Sequence, residues 1–123
     1  LSDGFKYIRK QGMQLASKMR FISAQYIAYF RDDLWKRNAG HSNRMAQMLA
    51  ERIAGIPGLK ITQPVQSNGV FVIMPGEVAE KVSREYFFYS WNEMLSEYRL
   101  MTSWDTTPED IDKFAVMLEN EMK

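Results

Sequence analysis

The sequence lacks cysteine and has a single histidine among its 123 residues. Without cysteine there can be no disulfide and no thiolate zinc site, which fits a reducing compartment such as the cytoplasm. The histidine, His41, lies in the polar segment NAGHS, so we expect a surface residue at a helix start. A metal ligand or a catalytic base would need partners within reach, and the sequence offers His41 none. We therefore predict no metal site.

Long apolar runs and several catalytic signatures are also lacking. No stretch of about 18 or more apolar residues is present, so no membrane-spanning helix is expected. No basic segment followed by an apolar one marks a secretory leader. The sequence contains no phosphate-binding glycine loop, no GxSxG turn and no HExxH pair. These absences favour a cytoplasmic protein without membrane contact. They also mean that none of these common motifs indicates its function.

Composition and charge indicate a small globular domain whose N-terminal half is basic. With 46% hydrophobic and 25% charged residues, the chain suffices for one core in a single domain. Residues 1–60 hold 11 of the 16 lysines and arginines but only 4 of the 15 acids. Basic residues are densest in residues 1–20, which contain one acid, Asp3, and five cations, namely Lys6, Arg9, Lys10, Lys18 and Arg20. It suits a phosphate or polyanion, or a solvated segment that pairs with the acidic second half.

Helical periodicity dominates the first half. Apolar residues recur every three or four positions from Gly12 to about Arg37 and predict one long helix or two joined ones. The polar, breaker-rich residues 38–42 predict an interruption. A second apolar stripe from Met45 to Ile56 then predicts another helix, which Pro57 and Gly58 should end.

The second half alternates strand-like and helical patterns. Four segments rich in β-branched and aromatic residues are predicted as strands, namely residues 59–62, 69–74, 86–91 and 98–104. A short helix is expected between the second and third, at residues 77–85. The last two should form a hairpin across residues 92–97, with the aromatic run YFFYSW in its core. A base-stacking platform would interleave basic residues, and none occurs between Tyr86 and Tyr98, so no nucleic-acid partner is expected.

The closing helix has a well-marked start. Thr107 is placed as the N-cap, Pro108 as the first helical residue and Asp110 as the third, a capping arrangement with acids at the positive helix end. The order of elements lacks strict alternation of strand and helix. We therefore predict an α+β fold, a long N-terminal helix plus a small antiparallel sheet of three or four strands covered by helices.

Arg99 is the one charged residue inside the strand-like run YRLMTSW, residues 98–104. Strand alternation places it on the same face as Met101 and Ser103. On an exposed face it would be an ordinary surface or salt-bridged arginine. Facing a cleft, it would demand an anion, because a desolvated and unpaired charge costs several kcal/mol. The planar guanidinium matches a carboxylate or phosphate with two parallel hydrogen bonds, and the pattern alone leaves both interpretations open.

Three segments read together indicate a family. The stretches RLMTSWDTTPEDID, YIRKQG and KMRFISAQ resemble the C-terminal part of the low-specificity L-threonine aldolases and related β-eliminating lyases, pyridoxal-phosphate enzymes of the aspartate-aminotransferase fold type, fold type I. The resemblance covers essentially the whole chain and about the last third of such an enzyme. It implies that residues 1–20 are a basic segment connecting to a missing large domain, and that residues 21–123 form the small domain.

The resemblance also implies roles for individual residues. Arg99 would hold the α-carboxylate of the substrate. Arg20 and Lys10 would help to bind the phosphate of the cofactor, partly from a neighbouring subunit. Lys18 follows a serine, as the family's Schiff-base lysine does, but it lies downstream of the Arg-Lys pair and in a helical context, so we reject it. No catalytic residue is thus expected in this chain, which should be inactive alone.

The implied reaction is the cleavage of a β-hydroxy-α-amino acid, L-threonine or L-allo-threonine, to glycine and an aldehyde with pyridoxal phosphate. The implied partners are the amino-acid substrate, the missing N-terminal large domain and further copies in a homodimer or homotetramer. Two alternatives stay open. One is another pyridoxal-phosphate β-eliminating lyase of the same fold type, acting on an aromatic amino acid. The other is a non-enzymatic α+β domain that binds an anion or a protein.

Overall fold

The structure, a computed structural model, describes residues 3–12 and 16–123. Within them the chain forms two compact units, one ending at Trp35 and one comprising Lys36–Lys123. Residues 13–15, part of the predicted long helix, lie outside the described residues. The division predicted after residue 20 stays a prediction.

The first unit contains two helices whose side chains are exposed. Helix α1 spans Phe5–Gln11 and helix α2 spans Met19–Phe30. A 3₁₀ turn follows at Arg31–Asp33, in which Asp32 and Asp33 have φ angles of 51° and 56°. Left-handed backbone is uncommon outside glycine and cannot continue an α-helix. The long helical pattern therefore divides into two helices at this turn.

Helix α3 spans Leu34–Ile53 and runs through the segment where the sequence predicted an interruption. The prediction of a break at residues 38–42 is therefore wrong. A glycine inside a helix costs only about 1 kcal/mol relative to alanine, and the apolar stripe from Met45 to Ile53 buries enough surface to outweigh it. Ser42 is buried and its hydroxyl donates to the carbonyl of Asn38 one turn earlier, so this polar group is satisfied within the helix.

The second unit contains a four-stranded antiparallel sheet with the spatial order β1-β2-β4-β3. Its strands are β1 Lys60–Ile61, β2 Gly69–Ile73, β3 Tyr89–Asn92 and β4 Glu97–Met101. The predicted hairpin is confirmed, because β3 and β4 pair across a 3₁₀ turn at Glu93–Leu95. All four predicted strands are present, each shorter than the pattern suggested. Strand β4 lies between β2 and β3 and is therefore a central strand.

Helices cover one face of this sheet, which confirms the predicted α+β class. Helix α4 spans Gly76–Val82 and helix α5 spans Pro108–Glu121. They share one buried cluster with α3 and the sheet, and its fully enclosed side chains include Ile53, Val70, Val72, Val82 and Leu118. The cluster occupies only one side of the sheet, since β2 alternates buried Val70 and Val72 with half-buried neighbours.

The predicted N-terminus of α5 is confirmed in detail. The hydroxyl oxygen of Thr107 accepts the backbone N–H of Asp110 at 3.2 Å, and the backbone N–H of Thr107 donates to the Asp110 carboxylate at 2.9 Å. Pro108 occupies the first helical position. Two of the unpaired N–H groups at the helix start are thus satisfied reciprocally, as a capping box requires.

The capping box predicts an acid-sensitive contribution to stability. Hydrogen bonds from the Thr107 hydroxyl and then from its backbone N–H lower the pKa of the Asp110 carboxyl. Because the folded pKa is depressed, the stabilisation is present above the unfolded pKa, near 4, and is lost as the pH falls through the folded pKa. We expect Asp110→Asn to flatten the pH dependence of the urea midpoint below about pH 4.

Urea titrations of the wild type, Asp110→Asn and Thr107→Ala at several pH values measure this contribution. Thr107→Ala removes the hydroxyl donor and should flatten the same acidic limb. A wild-type acid profile retained by Asp110→Asn would show that the capping carboxylate does not contribute.

Candidate functional site

Arg99 lies in the middle of β4 on the sheet face opposite the helices, which we call the outer face. Leu100 and Thr102 are buried towards the helices, and strand alternation turns Arg99 the other way. Its cross-strand neighbours are Phe71 on β2 and Tyr89 on β3. The guanidinium of a half-buried arginine is thus flanked by aromatic residues from both adjacent strands.

Two aromatic rings contact this guanidinium. The central carbon, Cζ, lies 5.2 Å from the ring centroid of Tyr89 and 5.2 Å from that of Trp91. Both distances are within the range of a cation–π interaction. Trp91 packs in turn edge to face on Phe71, with centroids 5.1 Å apart. We call Tyr89 and Trp91 the aromatic clamp.

The Nε–H of Arg99 is a buried donor without an acceptor among the described residues. Arg99 also takes part in none of the ion pairs that the described residues form. A buried donor left unsatisfied costs about 1–3 kcal/mol, and the described residues supply no acceptor for this one. Its planar edge fits the two oxygens of a carboxylate or phosphate.

The nearest acid along β4 is engaged elsewhere. Glu97 is 7% exposed and shares the outer face with Arg99, two residues away. Its Oε1 accepts a hydrogen bond from the hydroxyl of Thr62 at 2.5 Å. Because Glu97 forms no ion pair with Arg99, the guanidinium keeps its donors. Glu97 was not predicted as part of a site, because it lay in a stretch expected to be a polar connection.

Thr102 fixes the end of the strand that carries Arg99. Its side chain is buried, and its hydroxyl donates to the carbonyl of Ser42 on α3 at 2.7 Å. Asn68 adds two bonds, since its carbonyl accepts the backbone N–H of Thr102 and its amide donates to the Thr102 carbonyl, both at 2.9 Å. The end of β4 is therefore tied to a helix and to the loop before β2, which limits the movement of Arg99.

The predicted phosphate-binding residues lie in the first unit. Lys10 is in the last turn of α1, Arg20 is in the first turn of α2, and both are exposed. Neither forms an ion pair within residues 3–12 and 16–123. Their role towards a cofactor stays a prediction. Lys18, rejected as a Schiff-base lysine, is exposed and immediately precedes α2.

His41 lies inside α3 and not at a helix start, so its predicted position is wrong. It is half-buried, and its Nε2 lies 2.7 Å from the carbonyl oxygen of Thr106, to which the Nε2–H tautomer donates. His41 thus ties α3 to the loop before α5. In the described ranges no group of three or more histidines, cysteines and acids is placed to hold a metal ion.

A cavity of about 290 Å³ lies elsewhere in the second unit. It opens between the aromatic residues before β3 and the start of α5, and its wall includes Phe87, Met101, Asp105 and Phe114. Arg99 does not line it.

None of the helices that the structure describes has the length and apolar character needed to cross a membrane.

Comparisons with known proteins place these observations in a family context. No family model matches the chain. It is 41% identical over 118 residues to the low specificity L-threonine aldolase of Pseudomonas aeruginosa and 39% identical over 116 residues to that of a Pseudomonas species. Each alignment covers 94% of this chain and 33% of the relative, so the chain spans about a third of the length of the curated relatives it matches. The predicted resemblance is confirmed.

A solved structure supports the fold. The chain superimposes on threonine aldolase from Leishmania major with a TM-score of 0.66, covering 80% of this chain and 30% of that one at 24% identity. At this identity the match concerns the fold alone, and it agrees with the α+β arrangement described above.

Proposed function

We propose, from its similarity to low-specificity L-threonine aldolases, that this chain is the C-terminal part of an enzyme that cleaves β-hydroxy-α-amino acids. The substrates would be L-threonine or L-allo-threonine, and the products glycine and an aldehyde. The observation that carries the proposal is the buried, unpaired Nε–H of Arg99 in a chain 41% identical to a curated aldolase. A donor of this kind needs an acceptor, and the carboxylate of an amino-acid substrate brings acceptor oxygens with the opposite charge to the guanidinium.

In this proposal Arg99 binds the α-carboxylate of the substrate. The guanidinium would donate two parallel hydrogen bonds to the two carboxylate oxygens, which fixes the plane of the carboxylate and thereby the rotation about Cα. This is a positioning role, because holding the scissile bond in one orientation lowers the entropic part of the barrier. Glu97 forms no ion pair with Arg99 among the described residues, and one of its carboxylate oxygens accepts the Thr62 hydroxyl.

The proposed cofactor is pyridoxal phosphate, which when bound supplies an electron sink for the electron pair of the broken Cα–Cβ bond. Lys10 and Arg20 would hold its phosphate, and both are exposed cations without an ion partner in the described ranges. The described lysines are all exposed, and none is placed in an enclosed site for a covalent link. The chain would therefore supply phosphate and carboxylate contacts only and be inactive by itself.

The proposed partners are a missing N-terminal large domain and further copies in a homodimer or homotetramer, in the cytoplasm. Support comes from α2, whose apolar side chains are exposed, for example Phe21 at 68% and Ile27 at 61%. A helix that is apolar around its circumference is normally buried in a larger structure.

The proposal is tested with a full-length protein that carries this chain, purified with pyridoxal phosphate and given L-threonine. We expect glycine and acetaldehyde in equal amounts, measured by amino-acid analysis and a coupled aldehyde reductase assay. The isolated chain with pyridoxal phosphate should release neither product. Pyruvate and a phenol or indole from aromatic amino acids would instead identify a β-eliminating lyase, and inertness towards every substrate would favour a binding domain.

A further inference from the structure

For an arginine to bind a carboxylate well, its guanidinium should be ordered before binding while its N–H groups stay free of other acceptors. Its side chain has several rotatable bonds, and ordering them on binding would reduce affinity. A carboxylate neighbour would order the guanidinium, but it would also occupy the N–H groups that a substrate carboxylate needs. On the outer face the nearest acid along the strand, Glu97, accepts a hydrogen bond from Thr62 and forms no ion pair with Arg99 among the described residues.

The aromatic clamp orders the guanidinium differently. The rings of Tyr89 and Trp91 attract the cation through their π faces, each 5.2 Å from Cζ. A ring in contact with a cation accepts none of the strong hydrogen bonds that a carboxylate would take. This agrees with the Nε–H of Arg99, which is buried and still lacks an acceptor within the described chain.

The clamp is itself supported. Trp91 packs edge to face on Phe71 with centroids 5.1 Å apart, and Tyr89 packs on Phe87 at 4.9 Å with an interplanar angle of 80°. Both clamp rings belong to β3. Trp91 contacts Phe71 on β2, and Tyr89 contacts Phe87 just before β3, so neighbouring rings support both of them.

We propose that Tyr89 and Trp91 are positioning residues for Arg99, which hold its guanidinium by cation–π contact so that its terminal N–H groups stay available to a carboxylate. This inference rests on the proposed carboxylate-binding role of Arg99. It adds that the site is preformed in this chain, before any cofactor or large domain is present, and that it takes simple monocarboxylates.

The test is an NMR titration of the ¹⁵N-labelled chain with sodium acetate at constant ionic strength. The Nε–H resonance of Arg99 is identified as the signal that disappears in Arg99→Lys. We expect acetate to shift this resonance in the wild type. Trp91→Leu should raise the acetate Kd about three- to tenfold, the loss expected for one partly desolvated cation–π contact, and should speed the exchange of this proton with water.

Two further variants separate positioning from general packing. Trp91→Phe keeps a ring face and should restore most of the affinity. Trp104→Leu removes an equally large ring that is 65% exposed in the loop after β4, and it should leave the Kd and the exchange rate unchanged. The backbone amide spectrum of α5 reports whether each variant is folded. Should Trp91→Leu fail to fold, Tyr89→Leu replaces it, with the same expected rise in Kd.

The outcomes distinguish this inference from the function it rests on. A wild-type Kd in folded Trp91→Leu or Tyr89→Leu would overturn the positioning role while leaving Arg99 as the carboxylate site. An Arg99 resonance that does not respond to acetate in the wild type would overturn the carboxylate role itself, and with it the clamp.

Discussion

Replacing Arg99 by alanine in the proposed full-length enzyme should weaken amino-acid binding by about 2–5 kcal/mol, the usual cost of removing one partner of a desolvated charge pair. The substrate carboxylate would then lie beside Tyr89 and Trp91 with no cation to receive it. The loss should appear mainly in KM for L-threonine. Arg99→Lys keeps the charge but loses the planar fork, so its KM should fall between those of the wild type and the alanine variant.

Arg84→Ala is a matched control for this change. Arg84 pairs with Glu80 on the surface, its side chain is 71% exposed, and it lies in the same unit as Arg99. Steady-state kinetics should give wild-type constants for this variant. If Arg99→Ala also kept a wild-type KM, the arginine would have no carboxylate to bind, and its buried Nε–H would need another explanation.

A second large effect is expected in the core. Leu118 on α5 is completely enclosed, in one cluster with Ile53 and Val82. Leu118→Ala should lower the free energy of unfolding by about 2–5 kcal/mol, because the lost apolar contacts add to the cost of the cavity left behind. This is a large share of the 5–15 kcal/mol typical of whole domains. Urea unfolding followed by circular dichroism measures it.

Val116→Ala is the control on the same helix, since Val116 is 45% exposed two residues before Leu118. A surface change of this kind should stay within about 0.5 kcal/mol of the wild type. Equal losses in the two variants would mean that the face of α5 assigned to the core does not carry the stability of this unit.

The parts of the fold that sequence predicts well are those whose causes are local. Thr107, Pro108 and Asp110 specify a helix start within four residues, and the structure shows the expected bonds. Residues 38–42 show the opposite case. Their weak helical preference is a local property, but the burial of Ser42 and Met45 against the rest of the second unit is not, and burial decided the outcome.

The candidate site divides in the same way. Arg99 was found because a single charge interrupts an apolar strand and because the segment resembles a known family. Tyr89 and Trp91 were assigned to the core of the hairpin, and this assignment is wrong, since each is 53% exposed on the outer face. Tyr86 and Phe88, from the same run, do pack on the core. Strand alternation separates the two sets, but the pairing of Tyr89 with Arg99, a long-range fact, decides which set lies on the outer face.

The strand order has a consequence for how the protein is made. Of the four described strands β4 leaves the ribosome last, yet it pairs with both β2 and β3 at the centre of the sheet. Until about residue 101 has emerged, one edge of β2 and one edge of β3 have no native partner. Unpaired edges invite association between chains. A stalled or prematurely terminated chain is therefore expected to aggregate or to need a chaperone. Synthesis of β4, the strand that carries Arg99, gives both edges their native partner and ends this tendency to aggregate.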